Sequence, residues 1–392
     1  MIHSKIRLLL ILFLFVLRSG YAASIAESCP NDDPSCLADN SKVLLFENFE
    51  SYSQGLTGTA LNTAIIAGTN PTGKTVAPTK QPYGTWTKAG HPDYASIVDA
   101  AHGKVFQGHL AYQAKLPVGT TLQQTWLTQQ TLYHPKVHIR WYQMWASNYL
   151  VAYSNHNGGA LAGGTIKGIP GRVPAADGSD WFSFNLSNET QHQDQTNRKN
   201  GSGPFVGYKP KAGTTSPFDP KDSPYFWCIY AYYAQSVPGT TAGKPGSGSG
   251  EHWWPDGSIN SYTNWFTTGS QIYPGAPRYP NFRPQTCFLP QRNRWYCYEM
   301  MVKCNTIDVN NPTVKHYDGE VQVWIDGVER GHFTDLFFAG INKATAPTHA
   351  GQRMYITEAN FHLHHTRAQP TDTIKWMDNI IIATDYIGPI AH

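Results

Sequence analysis

The segment GEVQVWIDG, residues 319–327, most narrowly limits what this chain can become. Val321, Val323 and Ile325 alternate with Glu320, Gln322 and Trp324 before an Asp326-Gly327 turn. A side-chain period of two marks a half-buried strand and excludes a helix. RWYCYEMMVKCNT, 294–306, repeats the pattern, setting Tyr296, Tyr298, Met300 and Val302 against Cys297, Glu299, Met301, Lys303 and Asn305. So does KVHIRWYQMWA, 136–146, where Val137, Ile139 and Trp141 face one way and His138, Arg140 and Tyr142 the other. Further strands are expected at 43–49, within 104–116, and at 181–187, 225–234, 354–365 and 376–387, with no helical period longer than two turns. Two stacked antiparallel sheets with apolar inner faces are the simplest layers for such a chain.

Composition supports an all-β reading. With 35 Gly, 27 Pro, 22 Tyr and 12 Trp among 392 residues, the chain is rich in turn formers and aromatics. Residues 1–22 read as a secretory signal: Lys5 and Arg7 precede the apolar run Leu8–Leu17, and Gly20-Tyr21-Ala22 ends in a small-x-small site. That run is about half of the roughly twenty residues a membrane span needs. The expected order is this signal, an N-terminal extension over 23–42, and one β domain over 43–392 with long insertions between about 154 and 290. A secreted, extracellular monomer is expected, with no membrane partner. The signal holds three of the 30 Lys and Arg and none of the 27 acids, so 27 of each remain. A formally neutral chain without a basic stripe argues against nucleic acid.

The six cysteines are read as disulfide formers in an exported protein. Cys29 and Cys36 can close a small loop that tethers the N-terminus. Cys297 and Cys304 are seven apart on one strand, point to opposite faces and do not suit each other. Pairing among the other four stays open.

WYCYEMMVKCNT, DGEVQVWIDG and DNIIIATDYIGP, with VLLFENFE at the start and VHIRWYQMW in the middle, resemble the concanavalin-A-like jelly rolls of polysaccharide lyases. The likeness is greatest to glucuronan lyase and the related secreted fungal cellulose-induced proteins. It implies a jelly-roll sandwich of two antiparallel sheets, a sugar-binding concave sheet, and a structural Ca2+ joining the chain ends. The metal-side matches are Glu47 and Asp378. Calcium takes six to eight oxygen ligands, so two carboxylates with loop carbonyls would suit it.

A lyase acting on a uronate polymer removes the proton at C5 and expels the C4 oxygen. Arg140, on the face opposite the apolar trio, is the best candidate to grip the uronate carboxylate, with Lys303 as the other cation. Tyr142 and His138 share its face as candidate proton-transfer groups. Glu299 stands on the same face as Lys303 and Asn305. Gln322 and Trp324 continue that surface, Trp324 offering a ring for a sugar to stack on. Trp253 and Trp254, in the polar stretch GEHWWPDGS, would form a platform or lid, and His109 is a further substrate contact. Each residue has a plainer reading as packing or cross-strand pairing. His362 and His364 point one way but lack an identifiable third metal ligand. Asn185, Asn188 and Asn200 lie in N-x-Ser/Thr sequons. No Glu-x-Asp-x-x-Glu motif supports a hydrolase, so the alternative to a lyase is a non-catalytic carbohydrate-binding protein.

Overall fold

The computed structural model describes residues 23–67, 88–90, 92–120, 124–130, 132–149, 157–166, 181–189, 226–232, 251–253, 259–261, 291–308, 314, 316–337, 353–364 and 371–390. The alternating segments become strands of two antiparallel sheets, giving an all-β sandwich of jelly-roll type.

Sheet A runs β14 (Val328–Leu336), β13 (Gly319–Ile325), β12 (Tyr296–Lys303), β6 (Lys136–Trp145), β16 (Thr373–Ala383), β4 (Ala111–Leu116) and β3 (Ala95–Val98). β1 (Val43–Glu47) pairs with the second half of β16, so the first and last strands lie side by side. Sheet B runs β11 (Ile259–Ser261), β10 (Glu251–Trp253), β9 (Phe226–Tyr232), β8 (Trp181–Glu189), β7 (Gly159–Ile166), β15 (Arg353–His364), β5 (Gln124–Gln129) and β2 (Lys88–Gly90).

The apolar sets read from the sequence meet between the sheets. Val137, Ile139, Trp141, Tyr298, Met300, Val321, Val323 and Ile325 pack there against Leu161, Phe184, Ile229, Phe361 and Leu363. A fully buried aliphatic or aromatic side chain contributes roughly 1.5–3 kcal/mol, so this layer dominates the stability.

Five strands of sheet B, β7 to β11, come from residues 154–290, which the sequence reading treated largely as insertions. β7 was missed because glycine hides its period. A Cβ on Gly159 would lie 2.8 Å from the Trp141 ring, and one on Gly163 would lie 2.0 Å from the Tyr355 carbonyl oxygen. Glycine stands there because the opposing Trp141 ring at Gly159, and the backbone of the neighbouring strand β15 at Gly163, leave no space. Helix Gly58–Ala67 also departs from the expectation of no helix beyond two turns.

The N-terminal extension lies over the outer face of sheet A. Helix Ile25–Ser28 begins with a Ser24/Glu27 capping box, and the Cys29–Cys36 disulfide ties it to helix Pro34–Asp39. Ile25 and Leu37 pack with Phe46, Ile381 and Ile387 in a second apolar cluster. The C-terminal tail joins them: Ile25 N donates to Tyr386 O at 3.1 Å and Ala26 N to Ile387 O at 2.8 Å. Cys297 and Cys304 are buried free thiols, not bonded to each other.

Candidate functional site

The trio His138, Arg140 and Tyr142 does face away from the core, as its alternation requires, but that face is closed. Arg140 is 0% exposed, and its Nη2 lies 2.5 Å from Asp32 Oδ2 in the N-terminal extension. Burial alone would lower the guanidinium pKa; the Asp32 carboxylate outweighs it and raises the pKa, so Arg140 is charged and paired. Glu299, on the neighbouring strand, accepts from Ile387 N at 2.9 Å and Gly388 N at 2.8 Å, with His138 Nδ1 at 3.0 Å. The Tyr142 hydroxyl accepts from Ile390 N at 2.7 Å. The expected catalytic group is therefore a clamp for both chain ends. Alternation specifies a side chain's face, not whether that face is open.

The other expected residues of sheet A divide by exposure. Lys303 Nζ lies 2.6 Å from Glu320 Oε1, beyond the covered region. Gln322 bonds Glu329, and Trp324 stacks near His138 and Tyr386 with centroids 5.9 and 5.0 Å away. Asn305 is buried and donates to Thr306 O. Arg140 and Lys303 thus do not share a trough, one being sealed beneath the termini and the other paired on the surface. His109 is exposed, with its backbone N–H on Glu50. Trp253 closes β10 opposite Ile229 and Ile259. Trp254 lies outside the described residues.

Glu47 and Asp378 do not converge. Glu47 turns toward the sandwich interior and accepts from Phe49 N at 2.7 Å and Tyr52 Oη at 2.9 Å. Asp378 lies on the outer side, at a bulge where Asn379 adopts φ 43°. Its carboxylate accepts from Phe106 N, Gln107 N and Asn379 N. The acid that reaches the same segment is Glu50, whose Oε1 accepts from His109 N and Leu110 N. Burial, then the like charge of Glu50, pushes the Asp378 pKa well up despite those three amides. Among the described residues, no group of three or more His, Cys, Asp or Glu side chains is arranged to hold a metal ion.

The sequence reading did not find the polar set on the outer face of sheet B. Leu127, Ala359, Phe361, Leu161, Phe184, Ile229 and Ala231 all belong to the core, so their alternates face outward. Register then aligns Thr128, Asn360, Ala160, Asn185 and Tyr230 in one row across five strands. A second row sets Glu358 opposite Ala162, Ser183 and Tyr232. Thr128 Oγ1 donates to Asn360, and Asn360 Nδ2 donates to Glu358, which also accepts from Gln130 at 3.1 Å. Asn185 Nδ2 donates to Ser183 Oγ at 3.3 Å and Tyr230 O at 3.2 Å. At 4% exposure in mid-strand, Asn185 is a poor glycosylation acceptor.

His362 and His364 continue this face along β15. Burial, and for His362 also the charge of Lys375, lowers both pKa values, that of His362 to about 3, so both imidazoles are neutral at pH 7. Lys375 lies between the sheets and donates to His362 O, to Asn157 O at 2.8 Å and to Gln143 Oε1 at 3.3 Å. Three acceptors match the three N–H groups of an ammonium, although burial pulls its pKa well down. This contact ties β15 to sheet A.

These features define a jelly-roll sandwich with one face capped by its own termini and a polar row across the other. Solved structures similar in fold include a variant of alginate lyase Aly36B in complex with alginate tetrasaccharide, at TM-score 0.47 and 12% identity, covering 88% of this chain and 98% of that one. Alginate lyase vAL-1 from Chlorella virus is similar at TM-score 0.41 and 11% identity, over 72% and 88% of the two chains. The endo-β-1,4-glucuronan lyase of the fungus Trichoderma reesei follows at TM-score 0.37 and 9% identity, over 77% and 92%. No family model and no curated protein matches the sequence.

Proposed function

We propose that the protein is exported and cleaves a uronate-containing polysaccharide by β-elimination at the outer face of sheet B. The observation that carries this reading is the row Thr128–Asn360–Ala160–Asn185–Tyr230. Adjacent strands are about 4.8 Å apart, so Asn360 and Asn185 stand roughly 10 Å apart across the Ala160 methyl floor, enough width for a sugar ring. Asn360 uses one amide N–H on Glu358 and has a second for the uronate carboxylate, where charge builds as the C5 proton leaves. Asn185 commits both N–H groups, and its carbonyl is suited to accept from a sugar hydroxyl. The Tyr230 phenol or the neutral His362 imidazole is the proton carrier. With Asn185 4% and Asn360 6% exposed, the row lies in a low-dielectric setting that strengthens each hydrogen bond it makes.

Export fits the disulfide in the N-terminal extension. Calcium, if bound, would be held by Asp378 with Glu50, whose carboxylates grip one segment and repel each other. It would neutralise that pair and staple the two chain ends.

The test is incubation with a panel of polyuronates, followed by the ultraviolet absorbance of unsaturated uronate. The signal should appear in wild type and vanish in Asn360→Ala. New reducing ends without that absorbance would identify a hydrolase and end the elimination reading. A second reading, binding without cleavage, is favoured by Arg140 and Lys303 being paired with Asp32 and Glu320. Retention on a polyuronate with neither chemical signal would select it.

A further inference from the structure

We propose that a cleft at one end of sheet A, where Lys42 and Lys136 flank Asp385, is a separate binding site for the carboxylate of an acidic saccharide. Three strand ends converge there: Lys42 precedes β1, Asp385 follows β16 and Lys136 opens β6. The cleft encloses about 780 Å³, within the roughly 300–1,000 Å³ common for small-molecule sites.

Its charge is unbalanced. Two ammonium groups share one carboxylate: Asp385 lies 4.0 Å from Lys42 Nζ and 3.5 Å from Lys136 Nζ. Both contacts are long, and the three side chains are 57%, 41% and 50% exposed. Pairs so loose and solvated are worth little, so an incoming carboxylate can displace Asp385 from either lysine. Lys303, opposite Lys136 in register, is neutralised by Glu320 and adds no net charge. His134 also lines the cleft, and burial lowers its pKa, keeping it uncharged at pH 7.

The remaining lining argues for a sugar rather than a bare inorganic anion. Val43, Leu44 and Pro135 give the lining an apolar part, suited to the C–H face of a pyranose ring. Ser41 and Thr384 add hydroxyls at the rim. An anionic end, an apolar body and peripheral hydrogen bonds together describe a uronate unit.

Calorimetric titration of the full chain with a tetra-uronate, cellotetraose and inorganic phosphate tests the site. Wild type should bind the tetra-uronate, and cellotetraose should bind far more weakly. Lys42→Ala/Lys136→Ala should weaken tetra-uronate binding about tenfold, as the loss of two exposed ion pairs implies. Asp385→Asn should tighten it several-fold by removing the internal competitor, a gain that damaged folding would not produce. Equal tetra-uronate affinity in wild type and both variants would overturn the proposal, as would phosphate competing as strongly as tetra-uronate. Asn360→Ala, on sheet B, should leave the lysine-dependent component unchanged, separating this site from the proposed cleavage face.

Discussion

On the outer face of sheet A, Glu299 accepts from the backbone of Ile387 and Gly388, Tyr142 from Ile390, and Arg140 pairs with Asp32. On the outer face of sheet B, Thr128 donates to Asn360, and Asn360 and Gln130 donate to Glu358, side chain to side chain. The strands of both faces obey the same alternation. A face whose polar groups hold the chain's own ends is committed to stability. One whose polar groups satisfy each other can trade those bonds for a ligand's hydroxyls at small net cost, since each exchange replaces one hydrogen bond by another. The comparison therefore separates a structural face from the proposed working one, and it can be broken.

The largest effect should come from Arg140. Replacing it by Ala leaves Asp32 as an unpaired buried carboxylate, and breaking a buried pair costs about 3–5 kcal/mol. Urea unfolding should show that loss. An Arg140→Ala variant of wild-type stability that no longer cleaves a polyuronate would return the working site to sheet A.

Next in size is the disulfide that holds the extension in place. Cys29 and Cys36 are seven residues apart, and a loop of that size is worth roughly 2–3 kcal/mol through the unfolded state. Cys29→Ser/Cys36→Ser should lower stability by that amount. If sheet B is the working face, cleavage measured well below the melting temperature should not change.

A smaller effect concerns Asp378. Its folded pKa is raised, so the folded state binds the proton more tightly than the unfolded chain. Without a bound cation, stability should fall as pH rises from the unfolded carboxylate pKa through the raised folded one. A cation at Asp378 and Glu50 would oppose that decline. Chelation should then lower the melting temperature at neutral pH, and Glu50→Gln should remove the chelator's effect. A melting temperature indifferent to chelation would leave the two carboxylates as plain clamps for segment 106–110.

Much of the fold was legible because strands with one apolar face announce it. Val321, Val323 and Ile325, or Val137, Ile139 and Trp141, all lie in the core where their period placed them. β7 was not legible, since Gly159 and Gly163 replace the inward apolar residues where Trp141 and the Tyr355 backbone approach. The candidate site was legible only in part. Arg140 and Glu299 were assigned the correct side of their strand, yet nothing local to them encodes that residues 24–39 and 385–390 settle on top. The sheet B row was invisible for a related reason: it joins positions 128, 360, 160, 185 and 230 through register alone, and register between distant strands leaves no short-range mark.

Lys303 should give the smallest effect and the finest test of the comparison. It was expected to neutralise a uronate carboxylate beside Arg140; instead its Nζ sits 2.6 Å from Glu320 Oε1, with side chains 41% and 28% exposed. The Glu320 pKa is lowered: burial alone would raise it, but Lys303 and His332 outweigh that, as a working ion pair requires. Solvent screens such a pair, so Lys303→Ala should cost no more than about 1 kcal/mol, and less at high salt. It should leave the rate of polyuronate cleavage unchanged, because the group lies on the opposite sheet from the proposed row. A variant that keeps its stability but loses cleavage a hundredfold would mean that Lys303 meets the substrate despite Glu320, and the division between a structural and a working face would fail at its most exposed point.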